Sequence, residues 1–369
     1  MHTSFLIRLT GPLFALALVS ATFANDGDTL ASRYAPYFSI GAAVSTGKGN
    51  FDSLSLYPHA LLSEFSSLTA ENAMKPVELQ PKPGVFAWAN ADAIANYAKE
   101  NNKKLRGHTL VWHNQSPDWM TAPELSGTAR KAKARENMKA HISAVVQRYQ
   151  SVISVWDVVN EAVCDNWDQG DSIYREKSPW YQAYGDETYI RDAFIFAREA
   201  NPDALLVYND YSLCDSEKRE RVIKMIRDLD LIKHGLGAVG IQAHWHIGWP
   251  STTEIERTIT AFSDLGLDVQ ITELDIDCYG GSPSSKTKPY KTFEKELTSR
   301  YKAIFTCLKN NADKVSSVTF WGVADDHTWL DHFYGNTWHQ DKIRKNYPFL
   351  FDGRHHKKAA YDAVMDVSQ

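Results

Sequence analysis

Two glutamates stand at or near the ends of apolar, β-branched runs: Glu161 closes Trp156-Asp-Val-Val-Asn-Glu161, and Glu273 lies within Val269-Gln-Ile-Thr-Glu-Leu-Asp275. A glutamate pair can divide labour. One carboxyl, protonated, assists a leaving oxygen while the other, ionised, meets an electron-poor carbon, which is the common route for cleaving acetals. The two are distant in sequence, so the elements that carry them must bring them together. Around the first, Val152, Ile153, Val155, Trp156, Val158 and Val159 are too β-branched and too few for a helix between Tyr149 and Asn160. The run predicts a strand buried on both faces, and such strands belong to parallel sheets.

The same alternation extends along the chain. Strands are predicted over Phe38–Val44, Ser67–Asn72, Leu105–Trp112, Ile153–Glu161, Leu205–Tyr211, Ala238–Trp245, Val269–Ile276 and Val318–Asp325. Helical patterns separate or close them at Ala91–Asn101, Arg130–Tyr149, Tyr189–Glu199, Ser216–Leu231, Thr253–Leu265, Phe293–Asn310 and Tyr361–Val367. Strand and helix alternating in this way, with no linker or low-complexity tract, predict an α/β fold: a single-domain (β/α)8 TIM barrel. A doubly wound open sheet is the alternative, but no glycine-rich phosphate loop follows the first strand.

In a barrel of this kind the carboxyl ends of the strands gather the reactive groups. Here those ends are crowded with polar and aromatic residues: Glu71, Asn72 and Lys75 after the second; His108, Trp112, His113 and Gln115 at the third; Asn209, Asp210 and Tyr211 at the fifth; Gln242 and His244 at the sixth; Trp321, Asp325, Asp326, His327 and Trp329 at the eighth. A single hydrogen-bonded core histidine would explain one such end as well as a site does. Repetition over most of the strands predicts one cleft.

Composition narrows the partners. A net charge of -5 and a pI near 6.2, without a basic stripe, exclude nucleic acid. The content of 11 Trp, 17 Tyr and 16 Phe suits sugar-ring platforms as well as a large core. His2 and Arg8, an apolar segment from Pro12 to Val19, and small residues at Ser20, Ala21 and Ala24 have the order of a secretory signal peptide over residues 1–24, with cleavage after Ala24 or Ala21. The segment is shorter than the ~20 residues of a membrane span. The catalytic domain is therefore expected over residues 25–369, secreted or periplasmic, without a membrane anchor, and monomeric. No cofactor is expected, and no cysteine has metal-ligand spacing. Cys164 and Cys214 each lie three residues past a strand end, Glu161 and Tyr211, on neighbouring strands, and are expected to form a disulfide. Cys278 and Cys307 fall at opposite ends of the barrel and are expected not to meet.

Six motifs in this order, Thr69-Ala-Glu-Asn-Ala-Met-Lys75, Gly107-His-Thr-Leu-Val-Trp-His113, Trp156-Asp-Val-Val-Asn-Glu161, Asn209-Asp-Tyr211, Gly240-Ile-Gln-Ala-His244 and Ile271-Thr-Glu-Leu-Asp275, resemble those of the glycoside hydrolase family 10 endo-β-1,4-xylanases. The resemblance spans essentially the whole mature chain and implies a retaining hydrolase of xylan and xylo-oligosaccharides. By position it makes Glu161 the general acid/base, Glu273 the nucleophile and Asn160 the holder of a sugar 2-hydroxyl. His244 would support Glu273, with Asp275 orienting His244. Glu71, Asn72, Lys75, His108, Gln115 and Gln242 would bind sugar hydroxyls on the glycone side. Trp112, Trp321 and Trp329 would wall the sugars, and Tyr211 would be a platform on the leaving-group side. Two loops, Cys164 through Trp167 to Trp180 and Asp331 to Asn346, are longer than the family pattern leads one to expect. Trp167, Trp249 and Trp338 stay open between sugar platform and loop anchor.

Overall fold

The computed structural model describes residues 28–47, 51–165 and 172–369. The expected signal segment and Trp167 lie outside the described residues. Among those described, the β-branched runs form eight strands that pair in parallel: β1 (Ser39–Val44), β2 (Ser67–Ala70), β3 (Lys104–Trp112), β4 (Ile153–Asn160), β5 (Leu205–Asp210), β6 (Leu236–Ile241), β7 (Asp268–Asp277) and β8 (Val315–Phe320). Each pairs with the next, and β8 returns to β1 with Ile40 opposite Val318, so the sheet closes on itself. The predicted (β/α)8 barrel is the observed fold, and closure leaves none of these eight strands with a free edge.

Helices on the outside cover the strands because one face of each is apolar. Thr188–Ala200, for instance, buries Ile190, Ala193, Phe194 and Ala197, the spacing of a single helical stripe. Asp215 caps Ser216–Asp228 by accepting from the Lys218 amide, and Ser251 caps Thr252–Ser263 by accepting from the Glu254 amide. Gly107 in β3 allows a close approach. A β-carbon there would lie 2.1 Å from the Trp156 ring, which is wholly buried in β4.

The structure differs from the predicted elements in two places that matter to the site. The sixth strand, predicted as continuous from Ala238 to Trp245, ends at Ile241, and Ala243 takes a left-handed backbone (φ 60°). The chain then resumes as a three-residue strand, His244–His246, paired to the far half of β7 with His244 opposite Asp275. The eighth ends at Phe320 rather than Asp325, because the Asp325 amide turns to the Phe351 carbonyl at 3.1 Å.

The expected Cys164–Cys214 disulfide is absent: all four cysteines are free and buried. The Cys164 thiol donates to the Ser172 carbonyl at 3.3 Å, while Cys214 lies in the core, hydrogen-bonded to Thr258. Equal depth along neighbouring strands did not make their side chains converge. Cys278 and Cys307 are also unpaired. No helix among the described residues is long and apolar enough to cross a membrane.

Candidate active site

Glu161 is the first residue past β4, and its backbone is left-handed (φ 57°). Its amide donates to the Asn209 carbonyl at 2.9 Å and its carbonyl accepts from Arg175 Nε at 2.9 Å, so the turn is held from both sides. The side chain thereby reaches three donors. Oε2 accepts from Trp112 Nε1 at 2.8 Å, and Oε1 accepts from Asn160 Nδ2 at 3.0 Å and Gln242 Nε2 at 2.9 Å.

Glu273 lies deeper, within β7. Its Oε1 accepts from Asn209 Nδ2 at 2.8 Å, and its Oε2 from His244 Nε2 at 3.1 Å. Burial alone would lift its pKa, but the hydrogen bond from His244 and the charges of His108 and His244 hold it below the ordinary carboxylate value. The break in the sixth strand is what places His244 here. Its Nδ1 donates to Asp275 Oδ2 at 3.0 Å. Burial works against the imidazolium, yet the two carboxylates raise its pKa to about 10. Burial also pulls Asp275 upward. Because Trp329 Nε1 donates to the same Oδ2 at 2.7 Å, that oxygen must be an acceptor, and we place the shared proton on the imidazole.

One carboxamide joins the two glutamates. Asn209 Nδ2 donates to Glu273 and, at 2.9 Å, to Asn160 Oδ1, whose own amide donates to Glu161. Asn209 Oδ1 accepts from Thr272 Oγ1 at 2.6 Å, which fixes the orientation of the amide. Room for it exists only because residue 240 is glycine, where a β-carbon would fall 2.3 Å from Asn209 Oδ1.

The other predicted residues fall around this floor. His108 Nδ1 contacts Asp157 Oδ2 at 2.9 Å, with Arg106 pairing Asp157 from behind, and its ring meets Trp321 edge-on at 5.2 Å. Trp329 meets His244 edge-on at 5.0 Å. Lys75 Nζ donates to Asn72 Oδ1 at 3.1 Å and lies 5.1 Å from the Trp112 ring centroid. Glu71 Oε2 contacts His327 Nε2 at 3.2 Å. Burial would raise Glu71, but the hydrogen bond from His327 and the charges of His327 and Lys75 keep it low. Tyr211 donates to Asp165 and accepts from Arg175, and Lys218 Nζ lies 4.6 Å from its ring centroid. The Gln115 backbone is held on both sides, its amide donating to Asn114 Oδ1 at 2.8 Å and its carbonyl accepting from the Val77 amide at 2.9 Å. Trp249 packs on His246 at 6.1 Å and against the core. Among the described residues no group of histidine, cysteine or carboxylate side chains is arranged to hold a metal.

Sequence reasoning missed the roles of Asn209, His327 and Arg175. Asn209 was visible as a strand-end polar residue, but nothing in its spacing says that it serves both glutamates. Arg175 lies in a loop without periodicity. Its partners are distant in sequence, so no local signal marks it.

The chain matches the model of "Glycosyl hydrolase family 10" over residues 29–367. It is 41% identical over 336 residues to a β-1,4-xylanase of Dictyoglomus thermophilum, covering 90% of this chain and 89% of that one. It is 40% identical over 344 residues to an endo-1,4-β-xylanase of Geobacillus stearothermophilus, covering 92% and 98%. Among solved structures, xylanase XynB from Paenibacillus barcinonensis, complexed with a conduramine derivative, superposes with a TM-score of 0.83 at 36% identity, covering 93% of this chain and 99% of that one. With the match running almost end to end and the two-glutamate floor in place, the chain belongs to glycosyl hydrolase family 10.

Proposed function

We propose that this protein is a retaining endo-1,4-β-xylanase, exported through residues 1–24 and working as a single-chain catalytic domain over residues 25–369, in which Glu273 is the nucleophile and Glu161 the acid/base. The observation that carries the assignment is the difference between the two carboxylates. Glu273 is buried and tied to an imidazolium and an amide that favour its anion, as a nucleophile requires. Glu161 is more open, with a side chain 12% exposed, so a leaving group and then water can reach it.

In the first step Glu273 attacks the anomeric carbon while the Glu161 proton passes to the glycosidic oxygen, releasing the leaving sugar. In the second, Glu161 takes a proton from water, the water oxygen displaces Glu273, and the product keeps the starting configuration. Trp112, Asn160 and Gln242 hold the Glu161 oxygens through both steps. Glu71, Asn72, Lys75 and His108 supply polar contacts to the bound sugar, Trp321 and Trp329 supply walls, and Tyr211 supplies a platform on the leaving-group side.

Glu161→Ala and Glu273→Ala separate the roles. Glu161→Ala should lose nearly all activity on xylan but still form the glycosyl-enzyme from a dinitrophenyl xylobioside. It should then stall until azide restores turnover with a β-linked azide product. Glu273→Ala should be inactive on both, and any azide product should be α-linked. The β-azide appearing with Glu273→Ala alone reverses the assignment, and parent-like activity in both variants removes it.

A further inference from the structure

Residues 333–338 form a hairpin beside Trp329. Phe333–Tyr334 pairs antiparallel with Thr337–Trp338, placing Phe333 opposite Trp338, across a turn in which Gly335 (φ 61°) and Asn336 (φ 57°) are both left-handed. Opposed residues of an antiparallel pair put their side chains on one face. Tyr334 is turned into the protein: its ring stacks on His339 at 4.1 Å, and the buried Arg344 guanidinium lies 4.8 Å from its centroid. Those contacts anchor the loop from the Tyr334 side.

The opposite face carries Phe333 and Trp338. Phe333 lies 4.6 Å, ring to ring, from Trp329, whose indole is bonded to Asp275 beneath the nucleophile's histidine. Trp338 is its partner across the hairpin, its ring 6.0 Å from that of His332, and at 52% exposure no other described tryptophan is as open. A single exposed aromatic needs no explanation. An exposed tryptophan paired across the hairpin with Phe333, whose ring packs on Trp329 beside the support of Glu273, is placed to continue the cleft wall.

We infer that the Phe333–Trp338 face extends the sugar-binding surface past Trp329, and that Trp338 is an outer platform for the apolar face of a pyranose ring of xylan beyond the reacting units. This rests on the xylanase reading above. The ring could belong to the main chain or to a glucuronate branch, since both are pyranoses. Two sets of substrates distinguish them.

The test compares the parent with Trp338→Ala and Trp338→Phe on an aryl xylobioside, on linear xylohexaose, and on xylan bearing glucuronate branches. The aryl xylobioside should be turned over unchanged by all three proteins, which also shows that the variants fold. An aromatic contact is worth enough for Trp338→Ala to lower kcat/KM by between about 2- and 12-fold on the longer substrates, chiefly through KM. Trp338→Phe should fall between. Loss on xylohexaose assigns the main chain, and loss confined to branched xylan assigns a branch. An equal ratio of long to short substrates in parent and Trp338→Ala overturns the inference and leaves the xylanase reading standing. So does an unchanged ratio accompanied by loss of a dimer in sedimentation, which would make the face a contact between copies. A parent without action on any xylan overturns both.

Discussion

The support behind Glu273, the proposed nucleophile, can be tested by replacing His244 with Asn. His244 sits between two carboxylates at 3.1 and 3.0 Å, and the structure gives it a proton up to a pH of about 10. Removing it takes away the strongest donor to Glu273, while the burial that favours a protonated carboxyl remains. A hydrogen bond to a charged group is worth about 1.5–3 kcal/mol, and each ~1.4 kcal/mol is a factor of ten, so kcat/KM near neutral pH should drop by roughly 10- to 100-fold. The direction in pH is also determined. In the parent, Glu273 is held below the ordinary value, so its anion persists into acid. In His244→Asn the acid limb of kcat/KM should move to higher pH. The alkaline side has the opposite origin. The stabilisation that the raised His244 gives the fold is fully present below its unfolded pKa near 6.5 and fades as pH rises through about 10. Denaturant unfolding of the parent against His244→Asn should therefore show a stability difference that shrinks between those values. The assay is initial rate on an aryl xylobioside across pH, with unfolding measured in the same buffers. An acid limb that stays in place or moves down, or a kcat/KM within twofold of the parent, would refute the idea that His244 keeps Glu273 ionised.

Trp329 meets His244 edge-on, and in the proposed cleft it is expected to cover the point where a hexose would carry its extra hydroxymethyl group. Trp329→Ala should raise the rate on aryl cellobiosides relative to aryl xylobiosides by roughly 5- to 100-fold, the range of a steric rejection of ~1–3 kcal/mol, and an unchanged ratio counts against that wall. Arg175 holds the Glu161 carbonyl and Tyr211 at once. Arg175→Met should slow xylan cleavage more than cleavage of a dinitrophenyl xylobioside, whose leaving group needs no proton. It should also cost about 1–3 kcal/mol in denaturant unfolding, a moderate loss because Lys218 still pairs with Asp165 at 3.0 Å. Equal slowing of both substrates would make Arg175 structural only.

The barrel was legible because its signals are local. Parallel strands buried on both faces read as apolar β-branched runs, and the outer helices read as stripes, so both appear within a dozen residues of sequence. Most residues of the site were legible for a related reason, since they sit at strand ends whose positions the barrel dictates. What stayed hidden depends on side-chain direction or on partners from elsewhere in the chain. The break at Ala243 leaves no apolar gap, because Gln242 and Ala243 alternate as a strand would. Arg175 reaches Glu161, Asp165 and Tyr211 from a loop. The cysteine expectation failed at the same point: equal depth along neighbouring strands constrains the backbone, whereas a disulfide also needs side chains that face each other.

The carboxamide of Asn209 has a consequence for engineering. Thr272 fixes its oxygen and so aims its nitrogen at the position of Glu273, the proposed nucleophile. If Glu273 is cut back to a small side chain, the space it leaves is still bordered by that nitrogen and by His244 Nε2, two donors already aimed at a negative charge. Such a space suits a small anion such as formate or the fluoride leaving an α-glycosyl fluoride. The machinery that keeps the natural enzyme's carboxylate ionised thus makes the chain a suitable starting point for a synthase that joins xylose units and cannot hydrolyse what it makes.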